Sequence, residues 1–221
     1  MIDTIKELIS NVYDVKAIVR WGGIPMISGI VFAETGLMIG FFLPGDSLLV
    51  TAGIIAAAGY LNVKVMLVIV AIAAIVGDQV GYWIGKKTGP AIFKKDDSLL
   101  FKKSHVLKAK AFYEKYGGKT IVIARFVPII RTFAPVIAGV AQMEYRKFVF
   151  FNIFGGLLWV FSMILGGYYL GSVIPNIEDK LHYVIAIVVF LSICPGIYEF
   201  IRARMHAKKQ KSKEHVDIIP Y

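Results

Sequence analysis

The sequence predicts an all-α, polytopic helical membrane protein. It should have about four full spans, an amphipathic N-terminal helix, and two opposed re-entrant helical hairpins forming an inverted repeat. Three observations carry this expectation: apolar stretches long enough to cross hydrocarbon, lysines and arginines gathered in particular loops, and a residue pattern that returns in the second half of the chain. Composition agrees. The 221 residues are 57% hydrophobic and 18% charged, with mean hydropathy +0.67, whereas soluble domains run nearer half apolar and a quarter charged.

Residues 1–21 mix Asp3, Lys6, Glu7, Asp14, Lys16 and Arg20 with Ile2, Ile5, Leu8, Ile9 and Val12. That pattern suits a short amphipathic helix on the membrane surface or an ordinary cap helix. The membrane domain is expected over 22–201. Its apolar segments are 22–43, with Glu34 as its one charge; 65–85, with Asp78; 148–171, with none; and 181–201, with Glu199. Each is long enough to cross about 30 Å of hydrocarbon at about 1.5 Å per residue.

Charge distribution sets the expected topology. Residues 86–119 hold ten lysines against Asp96, Asp97 and Glu114, and the basic tail 202–221 holds six Lys/Arg. Residues 43–61 hold neither Lys nor Arg. The basic segments are therefore expected in the cytoplasm, where residues 102–116 could also meet anionic headgroups. The same distribution argues against nucleic acid as the partner of a chain with net charge +10. Both termini then fall in the cytoplasm. Two further apolar stretches, 44–60 and 120–142, must each enter and leave by one face.

The halves match at an offset of 86 residues: Ala52-Gly53 with Ala138-Gly139, and GYWIG (81–85) with GYYLG (167–171). Phe42-Leu43-Pro44 matches Phe126-Val127-Pro128 with a two-residue slip. By the charge argument the two units enter from opposite faces, an arrangement used by transporters that build a site from broken helices near the midplane.

Four intramembrane charges fall on the two hairpins: Glu34 and Asp46 on the first, Arg125 and Arg131 on the second. Pro44, Gly45, Pro128 and Pro135 are the expected breaks. Charge at depth requires a partner or water. The carboxylates and guanidiniums could simply neutralise each other. Alternatively the arginines could hold a phosphate with their donor forks while Glu34 or Asp46 exchanges a proton or gates them. Asp78 is a secondary candidate, either pairing helices or extending a proton path. Tyr82, Trp83, Tyr168 and Tyr169 read as interface aromatics, and Asn152 as an interhelical hydrogen bond. His105, His182, His206 and His215 fall in loops or at membrane edges. Cys194 is the single cysteine, so no intrachain disulfide and no cysteine-based metal site is expected. No other metal or cofactor is expected, and no nucleophile stands with a base to suggest an enzyme.

The stretches ETGLMIGFFLPGDSLLVTAG, GDQVGYWIGKKTG and RFVPIIRTFAPVIAGVAQMEYRKFVFFNIFGGLLW resemble the DedA family, also called the SNARE-associated or VTT-domain superfamily. The resemblance covers about residues 30–172 and implies two opposed re-entrant hairpins and a role in moving lipids between leaflets. Bacterial members are similar to undecaprenyl-phosphate translocases and to proteins that maintain the proton-motive force. It implies functional roles for Glu34, Asp46, Arg125 and Arg131, and a bacterial cytoplasmic (inner) membrane location. The expected function is a flippase or scramblase for an anionic lipid, undecaprenyl phosphate or a phospholipid, with protons as a second partner and an oligomer allowed. The alternative is a proton- or cation-coupled transporter of small solutes.

Overall fold

A computed structural model of the chain describes residues 15–37, 45–94, 117–174 and the single positions 177 and 187. Expectations on residues 1–14, on Pro44, on the greater part of the 86–119 loop, on the segment 181–201 with Cys194, on the four histidines and on the tail 202–221 lie outside the described residues. Within them the chain is helical, with no strand. The helices are α1 (Val15–Gly36), α2 (Gly45–Ala57), α3 (Val63–Lys94), α4 (Lys119–Ala124), α5 (Pro128–Val140) and α6 (Tyr145–Val173).

Two of these are long and apolar enough to cross a membrane: Val63–Gly89 of α3, 27 residues, and α6, 29 residues. Each reaches about 40 Å or more. By contrast, α2 and α5 have 13 residues each, or about 20 Å, and fall short of a hydrocarbon core. Residues 22–43, expected as one crossing, do not form one helix. α1 is kinked at Gly23 (φ 55, ψ −154), a conformation open to glycine, with Pro25 two residues on, and it stops at Gly36. The Arg20 guanidinium lies 5.0 Å from the Tyr60 ring centroid, while Glu34 lies against Gly45. α1 from Ile24 and α2 therefore form an antiparallel pair whose open end is at residues 20 and 60. The two arms, residues 24–36 of α1 and α2, are of similar length.

The second hairpin breaks in one place. Val127 leaves the helical region (φ −117, ψ 106) and Pro128 opens α5, where its missing N–H costs nothing. Pro135, expected as a further break, lies inside a continuous α5. Its ring removes the amide that would bond the Arg131 carbonyl, yet the surrounding packing holds the helix together.

The long helices run antiparallel. Tyr82 of α3 stacks on Phe148 near the start of α6, and Asn152, further along α6, donates to the carbonyl of Ile75, further back on α3 (3.0 Å). The short helices cross over between halves: α2 packs on α6, and α5 on α3. One pair of contacts corresponds at the offset of 86: Gly53 with Tyr168, and Gly139 with Tyr82. A Cβ at Gly53 would run into Ile164 and Tyr168 of α6, and a Cβ at Gly139 would run into Tyr82 and Lys86 of α3. Gly167 meets Val50, and Gly85, one helical turn beyond the position 86 residues before Gly167, meets Val136. Exchange of this kind is what a pseudo-two-fold axis produces. Because lipid is as apolar as a leucine, such helices associate through close backbone approach and van der Waals contact. Glycine is what permits that approach.

Tyr82, expected at the interface, is instead fully buried. Its hydroxyl donates to the Met143 carbonyl (2.5 Å). Trp83, Tyr168 and Tyr169 are exposed, as expected of membrane-facing aromatics.

The crossover contacts give a direct check. Gly53→Val and Gly139→Val should each destabilise the protein by about 1–3 kcal/mol through overpacking, read as a lowered thermal midpoint in detergent. Gly166→Val, at a position with nothing within 4 Å, should leave the midpoint nearly unchanged.

Candidate functional site

The inner ends of α1, α2, α4 and α5 meet beside the middles of α3 and α6, and Glu34, Asp46, Asp78, Arg125 and Arg131 are all found there. Glu34 comes from the last turn of α1, Asp46 from the first turn of α2, Asp78 from mid-α3, Arg125 from the residue that caps α4, and Arg131 from the first turn of α5. Glu34, Asp78, Arg125 and Arg131 are all at least 97% buried, with Asp46 slightly less so.

These groups sort into two clusters. In the first, Arg131 holds both carboxylates of the opposite hairpin: its Nη1 donates to Asp46 Oδ1 (2.5 Å) and its Nη2 to Glu34 Oε1. Trp159 of α6 brackets the pair. Its ring lies under the guanidinium, 4.5 Å from Cζ to the ring centroid, a cation–π contact, and its Nε1–H donates to the same Asp46 oxygen (2.9 Å). Gly45 makes room, since any Cβ there would overlap the Glu34 carboxylate.

In the second cluster, Arg125 Nη2 donates to both Asp78 Oδ2 and Asn152 Oδ1. Asn152 is oriented by its own donation to Ile75. The guanidinium lies against α6 at Gly155 and Gly156, where a Cβ would come 3.1 Å from Arg125 Cδ and 3.4 Å from Nη2, respectively. Asp78 is therefore the direct partner of Arg125, a role that the sequence left between helix pairing and a proton path. Asn152 does join helices, and it also holds the arginine.

Satisfaction is uneven. Arg125 Nε and Nη1, Arg131 Nε, Glu34 Oε2 and Asp78 Oδ1 are buried without a hydrogen-bond partner among the described residues. A buried polar group left in this state costs about 1–3 kcal/mol. The formal charge is also uneven: two guanidiniums against three carboxylates, 2 − 3 = −1.

Trp159 was not legible as a site residue. The one available signal was the run Asn152, Gly155, Gly156, Trp159 on α6, spaced to share one helical face; all four are buried. Chemistry gave no reason to separate that tryptophan from other apolar residues of the span.

The VTT domain family model matches residues 43–169, more than half of the chain. The chain belongs to the VTT-domain (DedA) family. Protein DedA of Escherichia coli (strain K12) is 48% identical over 182 residues, covering 81% of this chain and 83% of that protein. An uncharacterized membrane protein of Mycobacterium tuberculosis (strain H37Rv) is 48% identical over 176 residues, covering 79% and 77%. Inner membrane protein YqjA of Escherichia coli (strain K12) is 34% identical over 154 residues, covering 69% and 70%. No solved structure matches the chain. This VTT-domain chain is thus a membrane protein, similar to proteins of the inner membrane.

The first cluster makes a stability prediction. Arg131→Met removes the guanidinium shared by two carboxylates, Glu34 and Asp46, and should cost about 3–5 kcal/mol. Adding Glu34→Gln and Asp46→Asn should recover a large part of that loss, measured by thermal unfolding in detergent. A triple variant no more stable than Arg131→Met would show that pairing is not what holds the tips together.

Proposed function

We propose that this protein moves an anionic lipid, undecaprenyl phosphate or a phospholipid, between the leaflets of the bacterial cytoplasmic membrane, as a flippase or scramblase coupled to protons. One observation carries the reading: a buried charge network lies directly behind an apolar outer face. Ile123, Phe126, Ile130, Phe133 and Ile137 are exposed on the same α4–α5 segment that turns Arg125 and Arg131 inward. A polyprenyl or acyl chain can stay against that face while its phosphate enters the network behind it, where a guanidinium offers donors suited to phosphate. A small solute needs no such apolar flank.

In a bilayer, antiparallel long helices related by a two-fold axis place that axis in the membrane plane, the arrangement of an inverted repeat. With the 86–119 loop in the cytoplasm, α4–α5 enters as a re-entrant hairpin from that side and α1–α2 from the outside. Backbone breaks at such depth are tolerated where protein covers them. Residue 20, beside Tyr60, then lies at the outer face, at odds with the cytoplasmic N-terminus expected from loop charge. On a Cys194→Ser background, Tyr60→Cys should react with a membrane-impermeant maleimide in intact spheroplasts, and Lys119→Cys only after permeabilisation. The reverse labelling would overturn this orientation.

Protons enter through the charge balance. A network already at −1 resists a further anion in a low-dielectric site unless a carboxylate takes up a proton as the lipid arrives. Glu34 and Asp46 fit the gating role because both must leave or loosen before Arg131 can turn elsewhere. In proteoliposomes, purified protein should speed transfer of labelled undecaprenyl phosphate or phospholipid between leaflets, with a rate that responds to an imposed pH gradient. Glu34→Gln and Asp46→Asn should each lower that rate about tenfold or more, the scale of one charge-assisted hydrogen bond. No acceleration for any anionic lipid under either gradient would sink the reading.

A further inference from the structure

We infer that the two buried arginines do different work: Arg125 receives the phosphate, and Arg131 is a lock that joins the hairpin tips. This deepens the proposed lipid translocation and rests on it for the ligand's source.

The difference lies in how each guanidinium is occupied. Arg131 commits both terminal nitrogens to carboxylates, one each from α1 and α2. The Trp159 ring takes one of its faces. Two negative charges surround one positive charge, so a phosphate arriving there meets net repulsion and finds only Nε unused.

Arg125 is held differently. A single nitrogen, Nη2, carries both of its partners, and only one of them, Asp78, is charged. Asn152 supplies a neutral acceptor, so the guanidinium is positioned without further neutralisation. Nε and Nη1 remain as buried donors with no partner among the described residues. The side chain lies against Gly155 and Gly156 of α6, and the Val122 backbone also comes close to Gly155. Phe126, the next residue in the chain, and Ile123 are exposed on the apolar outer face. A headgroup phosphate entering from the lipid phase would reach Arg125 past the turn between α4 and α5, beside Phe126. The chemical class recognised is a phosphate monoester or diester oxygen pair, which can come from a lipid headgroup or from free phosphate.

Charge-preserving substitutions separate the two roles. Arg125→Lys keeps the charge opposite Asp78 but removes the surplus guanidinium donors. Arg131→Lys keeps a cation between Glu34 and Asp46. Binding of radiolabelled undecaprenyl phosphate to the full-length protein in phosphatidylcholine nanodiscs would be titrated, with unlabelled inorganic phosphate as competitor. Arg125→Lys should weaken binding about tenfold or more, the loss expected for charge-assisted hydrogen bonds. Arg131→Lys should hold affinity within about threefold, below the effect of one such bond, while slowing translocation. If Arg125→Lys does not fold, Asn152→Asp, which places a second carboxylate on Nη2, should give the same loss. Weakened binding in Arg131→Lys with unchanged binding in Arg125→Lys or Asn152→Asp would overturn the division. Failure of the wild type to bind either lipid phosphate or inorganic phosphate would overturn the site. Binding that depends on Arg125 without any translocation would leave the site standing and reject the translocase reading. Inorganic phosphate binding as tightly as the lipid would identify free phosphate as the ligand.

Discussion

Burying charge where water cannot follow is the constraint on which this structure depends. A single ionised group in hydrocarbon or dry protein is strongly unfavourable unless an opposite charge and hydrogen bonds compensate it. Here five such groups are drawn from five helices. The ion pairs found among the described residues cross between elements: Arg131 of α5 reaches across to α1 and α2, and Arg125 reaches α3 and α6. The tips must therefore meet if either hairpin is to keep its charges at depth. Electrostatics here sets which elements touch, and glycine contacts such as Gly53 on Tyr168 and Gly139 on Tyr82 set how closely.

The two clusters share a fold but differ in completeness. Around Arg131, the carboxylates outnumber the cation and a tryptophan fixes Asp46 from a second direction. Around Arg125, one carboxylate and one amide share a single nitrogen. Arg131 keeps one unspent donor, Nε, against two on Arg125, Nε and Nη1. In a pseudo-symmetric scaffold this asymmetry is informative, because the repeat alone would have made the two halves equivalent. It appears also at the surface: α2 is buried almost throughout its length, while α5 presents Ile130, Phe133 and Ile137 outward.

Much of the site was legible in the residues themselves. Charge in an apolar run is rare and costly, so Glu34, Asp46, Asp78, Arg125 and Arg131 stood out from composition alone. The repeat was legible because close helix crossings demand small residues at fixed places, and glycine at 53 and 139 is hard to replace. Other features were not. Residues 22–43 are apolar enough to cross, and only the kink at Gly23 and the stop at Gly36 reveal a half-length arm there. Pro135 looked like a break, yet a helix flanked by packed neighbours tolerates one lost hydrogen bond. Tyr82 looked like a belt residue because its tendency to sit at interfaces does not show which way its helix turns.

Sequence by itself determined that this chain lives in a membrane, that its halves repeat, and which charged side chains must find partners inside. Those conclusions follow from transfer energetics, which depend on residue type and run length. The tertiary structure alone decided who pairs with whom: both hairpin carboxylates on Arg131, Asp78 and Asn152 on Arg125, and Trp159 beneath the first cluster. Pairing depends on where helices cross and how far side chains reach, and residues up to 113 positions apart meet here. No local pattern encodes such a distance.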